Sequence, residues 1–199
     1  MIPPNLAWKT CVDSYYYFDK STKQKSLLVE FADFLDVEYH QVIKHVNTRW
    51  LSLETAVRRN LDMYPALKSY FRSNTESNPR FKHLKQQFAD PMVEVYHLFF
   101  QALLPTFFFP NKFLQREDPC IYAAYGQLNE FVRCLLGKFV LIHKIKAAKT
   151  VDKVTFEEES QQLKDGQLFI GFATRKLLNK LVNKGYIDET KRDQFYQAR

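Results

Sequence analysis

The chain has 199 residues with 46% hydrophobic and 16% aromatic content, which suits one large folded domain or two small ones and excludes a disordered chain. Twenty-nine Lys and Arg oppose twenty-two Asp and Glu for a net charge of +7, an excess that permits an anionic partner and equally serves solubility. Eighteen Phe and eleven Tyr against five Gly favour long helices over a many-turned β protein.

The N-terminal stretch MIPPNLAWKTC holds no apolar core long enough for a signal peptide. Asp13–Asp19 reads as a short helix closed by the polar turn Lys20-Ser21-Thr22. Leu27, Leu28, Phe31, Phe34 and Leu35 then recur at three- and four-residue steps, the pattern of an amphipathic helix. Gln41–Val46 alternates weakly and is β-branched, so an extended connector is expected near 41–47. Ser52 is expected to cap a helix whose inward face carries Leu53, Ala56, Val57, Leu61 and Tyr64. Pro65 suits the first turn of the next helix, where its missing N–H costs nothing.

Ser73–Pro79 reads as a linker and a weak sub-boundary, followed by a helix over 80–88. Pro91 opens another helix with Met92, Val95, Tyr96, Phe99 and Leu103 on one face, which Pro105 and Pro110 are expected to kink or interrupt. Val95–Pro110 is the most apolar run. It contains His97, Gln101 and two prolines and falls short of the ~20 residues of a membrane span, so a core helix and no membrane partner are expected. Asp118-Pro119 opens the longest pattern: Ile121, Tyr122, Tyr125, Leu128, Phe131, Val132, Leu135, Leu136, Phe139 and Val140. Residues 149–164 form a polar loop with Val154 and Phe156 as anchors. The last long helix is expected from about Asp165 with Leu168, Phe169, Phe172, Leu177, Leu178 and Leu181, and Asp188-Glu189-Thr190 is expected to cap a short terminal one. The expected fold is mainly α: a single antiparallel helical bundle over 1–199 with at most a short extended segment near 41–47.

The residue types point away from catalysis. Cys11, Cys120 and Cys134 have no paired spacing and imply reduced thiols, in the nucleus or the cytoplasm. His40 and His45 are too far out of phase to share a helical face, and no Cys-x-x-Cys, metal-binding His pair or phosphate-cradling glycine loop occurs, so no metal and no cofactor are expected. Asp33 with Asp36 and the run Glu157-Glu158-Glu159 lie among lysines and read as solvated surface rather than acid–base pairs. Neither an enzyme nor a small-molecule substrate follows from these residues.

Two stretches offer interaction surfaces. Between Glu130 and Asp152 there is no acidic residue, while Arg133, Lys138, Lys144, Lys146 and Lys149 all fall there. They form either a basic stripe for phosphates or cations that complement the C-terminal dipole of a helix. In KHVNTRWLSLE (44–54), Arg49 and Trp50 are either a guanidinium on a phosphate beside an indole stacked on an unpaired base, or a buried indole with Arg49 paired locally.

KHVNTRWLSLETAVRRNLDMYPALKSYF (44–71), YYYFDKSTKQK (15–25), DPMVEVYHLFFQALLPTF (90–107), FLQREDPCIYAAYGQLNEFVRCLLGKFV (113–140) and DGQLFIGFATRKLLNKL (165–181) together resemble, in order, the hAT superfamily of DNA transposases and the zinc-finger BED-type proteins domesticated from them. The resemblance implies a helical insertion of a ribonuclease-H-like transposase, with little of the core that carries two catalytic Asp and one Glu on divalent metal. The family's Cys-x-x-His motif, BED finger and dimerisation region are not in this sequence, and no Asp or Glu matches the catalytic set. By the same likeness Arg49 and Trp50 sit near the active site, where the Trp steadies a flipped base, with Thr48 and Ser52 in support. Three readings follow: a catalytically inactive transposase-derived protein that binds DNA or protein, an incomplete gene model of an active transposase, or a helical interaction module without DNA function. A helical region separated from its core is also expected to expose apolar helix faces that favour self-association.

Overall fold

The computed structural model describes residues 6–45, 50–117 and 121–197, without the side chains at 6, 50 and 51. The described residues are mainly helical. In chain order they form α1 (Leu6–Phe18), α2 (Thr22–Phe34), α3 (Trp50–Asp62), α4 (Tyr64–Ser73), α5 (Pro79–Ala89), α6 (Pro91–Leu103), α7 (Phe108–Leu114), α8 (Ile121–Leu136), α9 (Ile142–Ala147), α10 (Phe172–Asn183) and α11 (Glu189–Gln197). They gather into two compact units, one of Met1–Ala102 with Gly171–Arg199 and one of Leu103–Ile170.

In the first unit local chemistry sets the helix ends. Ser21 caps α2 by accepting the Gln24 N–H at 3.3 Å. At the other end Asp36 takes a left-handed φ of 53°. The Val37 N–H then reaches the Ala32 carbonyl at 2.9 Å and the Asp36 N–H the Asp33 carbonyl at 3.2 Å, a Schellman closure with Asp where glycine is the unstrained choice. Residues 37–45 follow without helix or strand, and positions 46 and 47 of the segment expected to be extended lie outside the described residues. Ser52 is not the cap expected of it. It lies inside α3, which begins at Trp50, and its Oγ is 2.9 Å from His45 Nδ1. Pro65 occupies the first turn of α4 as its chemistry dictates. Segment 73–79 joins α4 to α5, which pack on each other within this unit.

The core of this unit is aromatic. Tyr17, Phe18, Tyr70, Phe71, Phe81 and Phe88 are buried in one cluster from α1, α4 and α5. Phe71 and Phe88 stack with centroids 5.1 Å apart and planes 7° from parallel. One polar network enters it. The Tyr17 hydroxyl donates to Glu76 Oε1 at 2.7 Å, which leaves the Tyr70 hydroxyl, 3.0 Å away, as donor to Tyr17. A second buried pair joins α1 to α6, with Cys11 Sγ 3.5 Å from His97 Nε2.

The C-terminal helices complete the unit. α10 starts at Phe172, later than the expected Asp165, because Gly171 turns the chain with φ 84°. A Cβ there would stand 2.5 Å from that of Ala102, so the position requires glycine on both counts. Asp188 caps α11, its Oδ1 accepting the Lys191 N–H at 2.7 Å.

In the second unit a 3-10 turn over Leu104–Phe107 leads into α7. Pro110 lies in the first turn of α7 and does not interrupt it. α8 ends at Leu136, before the Phe139 and Val140 that continue its apolar spacing. Those residues turn away to pair with residues 161–163: Leu141 N–H donates to the Gln161 carbonyl at 2.9 Å and Leu163 N–H to that of Phe139 at 2.8 Å. The result is an isolated antiparallel bridge between Val140 and Gln162, where the extended segment was expected at 41–47. Val140, Ile145 and Val154 form a small core, while Phe156, the other expected anchor, is exposed.

Candidate functional site

Arg49 lies outside the described residues, as does the side chain of Trp50. The described residues beside them carry cations over aromatic rings. Lys44 Nζ and Arg80 Cζ stand 5.9 Å and 5.6 Å from the Tyr16 ring centroid. Trp8 meets His45 edge-on at 6.3 Å, and partial burial lowers the pKa of that imidazole.

The stretch of Arg133, Lys138, Lys144, Lys146 and Lys149 is not brought together as one stripe. Arg133 turns inward along the chain and donates to the carbonyls of Ile145 at 2.9 Å and Ala148 at 3.3 Å, so it caps α9 from a distance. Lys138 Nζ sits 3.6 Å over the Phe169 ring, a close cation–π contact. Lys144, Lys146 and Lys149 are exposed on and just after the short α9. Lys144 and Lys146, two positions apart, point to different sides of it.

A basic face that the sequence reading passed over lies on α10. Lys176, Lys180 and Lys184 recur every four residues after Phe172, which places all four on one side of the helix. Asn179 and Asn183 interleave with them, and Arg175 at its edge donates to the Tyr196 hydroxyl at 3.3 Å. These residues line an open trough of about 580 Å³. Thr174, Leu178 and Leu181 face the core instead. Phe172 was expected among the inward residues, but it is 84% exposed, because α10 begins only there and its first residue overhangs the packed face. The sequence signal was present: no acidic residue occurs between Asp165 and Asp188. Lys180 and Lys184 also complement the C-terminal dipole of α10. Lys176, a turn earlier, does not need that role.

The second unit presents a different surface. No residue of α8 is buried, and Ile121, Tyr122, Tyr125 and Leu128, at steps of one, three and three, are exposed along it. Tyr122 is 88% exposed. The other side of α8 places Phe131 edge-on against Phe107 at 5.3 Å.

Groups with catalytic potential are disposed otherwise. Among the described residues no three His, Cys, Asp or Glu gather as metal ligands. Cys11 and His97 are both fully buried. His97 Nδ1 donates to the Val93 carbonyl at 2.8 Å, so Nε2 is the acceptor for the Cys11 thiol. Burial pushes the thiol well up and the imidazole down to about 4, which keeps the pair neutral and unreactive. Asp33, Asp36 and Glu157–Glu159 are exposed. Pro91–Leu114 is one run of 24 helical residues apolar enough in length and composition to cross a membrane. Its Met92, Val93, Val95, Tyr96 and His97 are nevertheless buried like those of a core helix. Comparison with protein-family models, curated proteins and solved structures returns no match for the chain.

Proposed function

We propose that this chain is a transposase-derived, catalytically inactive helical domain that binds DNA. The observation that carries the reading is the α10 face, where Lys176, Lys180 and Lys184 line one side with Phe172 exposed at its end. Among the described residues no carboxylate lies within ion-pair distance of those three lysines, so their charge is available to phosphates, and each contact adds salt-dependent affinity. Asn179 and Asn183 supply amides that can donate and accept in the same trough. The ordered resemblance of five segments to hAT transposases supports the ancestry.

Fluorescence anisotropy with duplex, single-stranded and hairpin DNA tests the reading. Binding at low salt that weakens steeply as salt rises is expected, and K176Q/K180Q/K184Q should weaken it. Trp50→Ala should cost about 1–3 kcal/mol on single-stranded or hairpin DNA if the indole stacks on a base. No binding at low salt overturns the proposal. The exposed apolar row on α8 favours a second reading, a protein contact, which sedimentation of the wild type against Tyr122→Glu would register as self-association that the variant loses.

A further inference from the structure

We propose that the α10 face is one end of a longer DNA-binding track that continues over α4 and α5 through Lys68, Arg72 and Lys85. This rests on the DNA reading above. The three cations converge on a concavity of about 250 Å³ whose remaining lining is Phe88 and Ala89. Lys85 donates to the Asn74 carbonyl at 2.8 Å and sits 5.9 Å over the Phe81 ring. Lys68 sits 5.9 Å over the Tyr64 ring, and Arg72 is exposed in the last turn of α4. Among the described residues no carboxylate comes within ion-pair distance of any of the three. Three like charges around one concavity repel, and an anion in it relieves that repulsion.

Glu94 connects the two surfaces. It lies in the first turn of α6, and both Lys68 of α4 and Lys180 of α10 act on its carboxyl. The concavity and the α10 trough thus belong to one unit, and Glu94 has one cation of each surface near it. A polyanion fits such an arrangement better than an isolated phosphate does. DNA is favoured over an anionic membrane because the trough interleaves amides and one aromatic among the lysines, whereas the apolar floor of the concavity, Phe88, is buried and has nothing to insert into lipid.

Salt titration of binding to a labelled DNA duplex long enough to cover both surfaces separates the two claims. Six phosphate contacts predict a slope of log affinity on log salt of about −5, and α10 alone about −3. The variant K68Q/R72Q/K85Q should weaken binding about tenfold or more and flatten the slope by about 2–3. Arg72→Gln alone, at an exposed position that leaves packing intact, should flatten it by about 1. Glu94→Gln should tighten binding several-fold. If the α4/α5 variants leave slope and affinity unchanged while K176Q/K180Q/K184Q weakens binding, the track is overturned and the α10 reading stands. If neither set has any effect, both fall. Phosphatidylserine vesicles bound as tightly as DNA, with the same dependence on these residues, would assign the track to a membrane surface and overturn it.

Discussion

Acid should weaken this fold through one histidine. His97 is fully buried in α6, tied through Nδ1 to the Val93 carbonyl at 2.8 Å and through Nε2 to the Cys11 thiol at 3.5 Å. Burial holds its pKa down to about 4, against the ordinary 6.5 of a histidine. The bond to Val93 favours the charged form, but it is the smaller of the two effects. Because the folded value lies below the unfolded one, the unfolded chain takes up a proton first as pH falls. Stability is then unaffected by this group above about pH 6.5, falls by ~1.4 kcal/mol per pH unit below it, and levels off near pH 4. The gap between those values gives a loss of about 3 kcal/mol, a large share of the 5–15 kcal/mol typical of a domain. Glu94 works in the opposite sense: burial raises its carboxyl, so its protonation on acidification favours the folded state. His97→Gln keeps a polar side chain and removes only the histidine part. Urea unfolding of both proteins at about pH 7 and about pH 4.5 should show the variant losing about 2–3 kcal/mol less than the wild type. Equal losses in the two, or a nuclear magnetic resonance titration of His97 with its midpoint near 6.5, would refute the argument.

Three further outcomes follow from packing and backbone geometry. Phe71→Ala removes a fully buried ring stacked on Phe88 and should cost about 3–5 kcal/mol in urea unfolding, since the rings around it can close the cavity only in part. Asp36→Gly relieves the left-handed backbone at φ 53° without touching the closure of α2. It should raise stability by about 0.5–1 kcal/mol in thermal unfolding, the relief of strain outweighing the added freedom of the unfolded chain. Arg133→Gln strips the cap from the carbonyls of Ile145 and Ala148. Hydrogen exchange in α9 should accelerate about tenfold, the equivalent of ~1.4 kcal/mol, while the salt slope of DNA binding stays unchanged.

Much of the fold was legible because it is written in neighbouring residues. Pro65 behind Tyr64 and Asp188 before Lys191 announce helix starts through groups that act within one turn. Leu27, Leu28 and Phe31 announce a buried face through spacing alone. The failures have a common form. The apolar spacing of α8 runs straight on to Val140, and nothing local says that Phe139 and Leu141 will instead pair with residues 161–163. Phe172 keeps helical phase with Phe169 and Leu168, yet Gly171 breaks the backbone between them, so phase carried across that glycine has no meaning. Arg133 looked like a phosphate ligand because its acceptors, the carbonyls at 145 and 148, are present in every sequence and therefore visible in none.

The candidate surface was legible in part and is instructive about charge. Two cation-rich stretches of some length lack acids, one between Glu130 and Asp152 and one between Asp165 and Asp188, and counting cations favours the first. Geometry reverses the ranking. A run of positive residues is a binding surface only if the helix carrying it is long enough to repeat a face and if the chain does not consume the charges itself. α9 has six residues and two of its neighbours' cations are spent on carbonyls and a ring, whereas α10 has twelve residues and repeats its lysines every four. The contribution of α4 and α5 is further from any sequence signal. Lys68 and Lys180 are 112 positions apart, and only the fold brings both near Glu94. Charge pattern along the chain therefore finds a site when one helix holds it all, and misses one that several helices assemble.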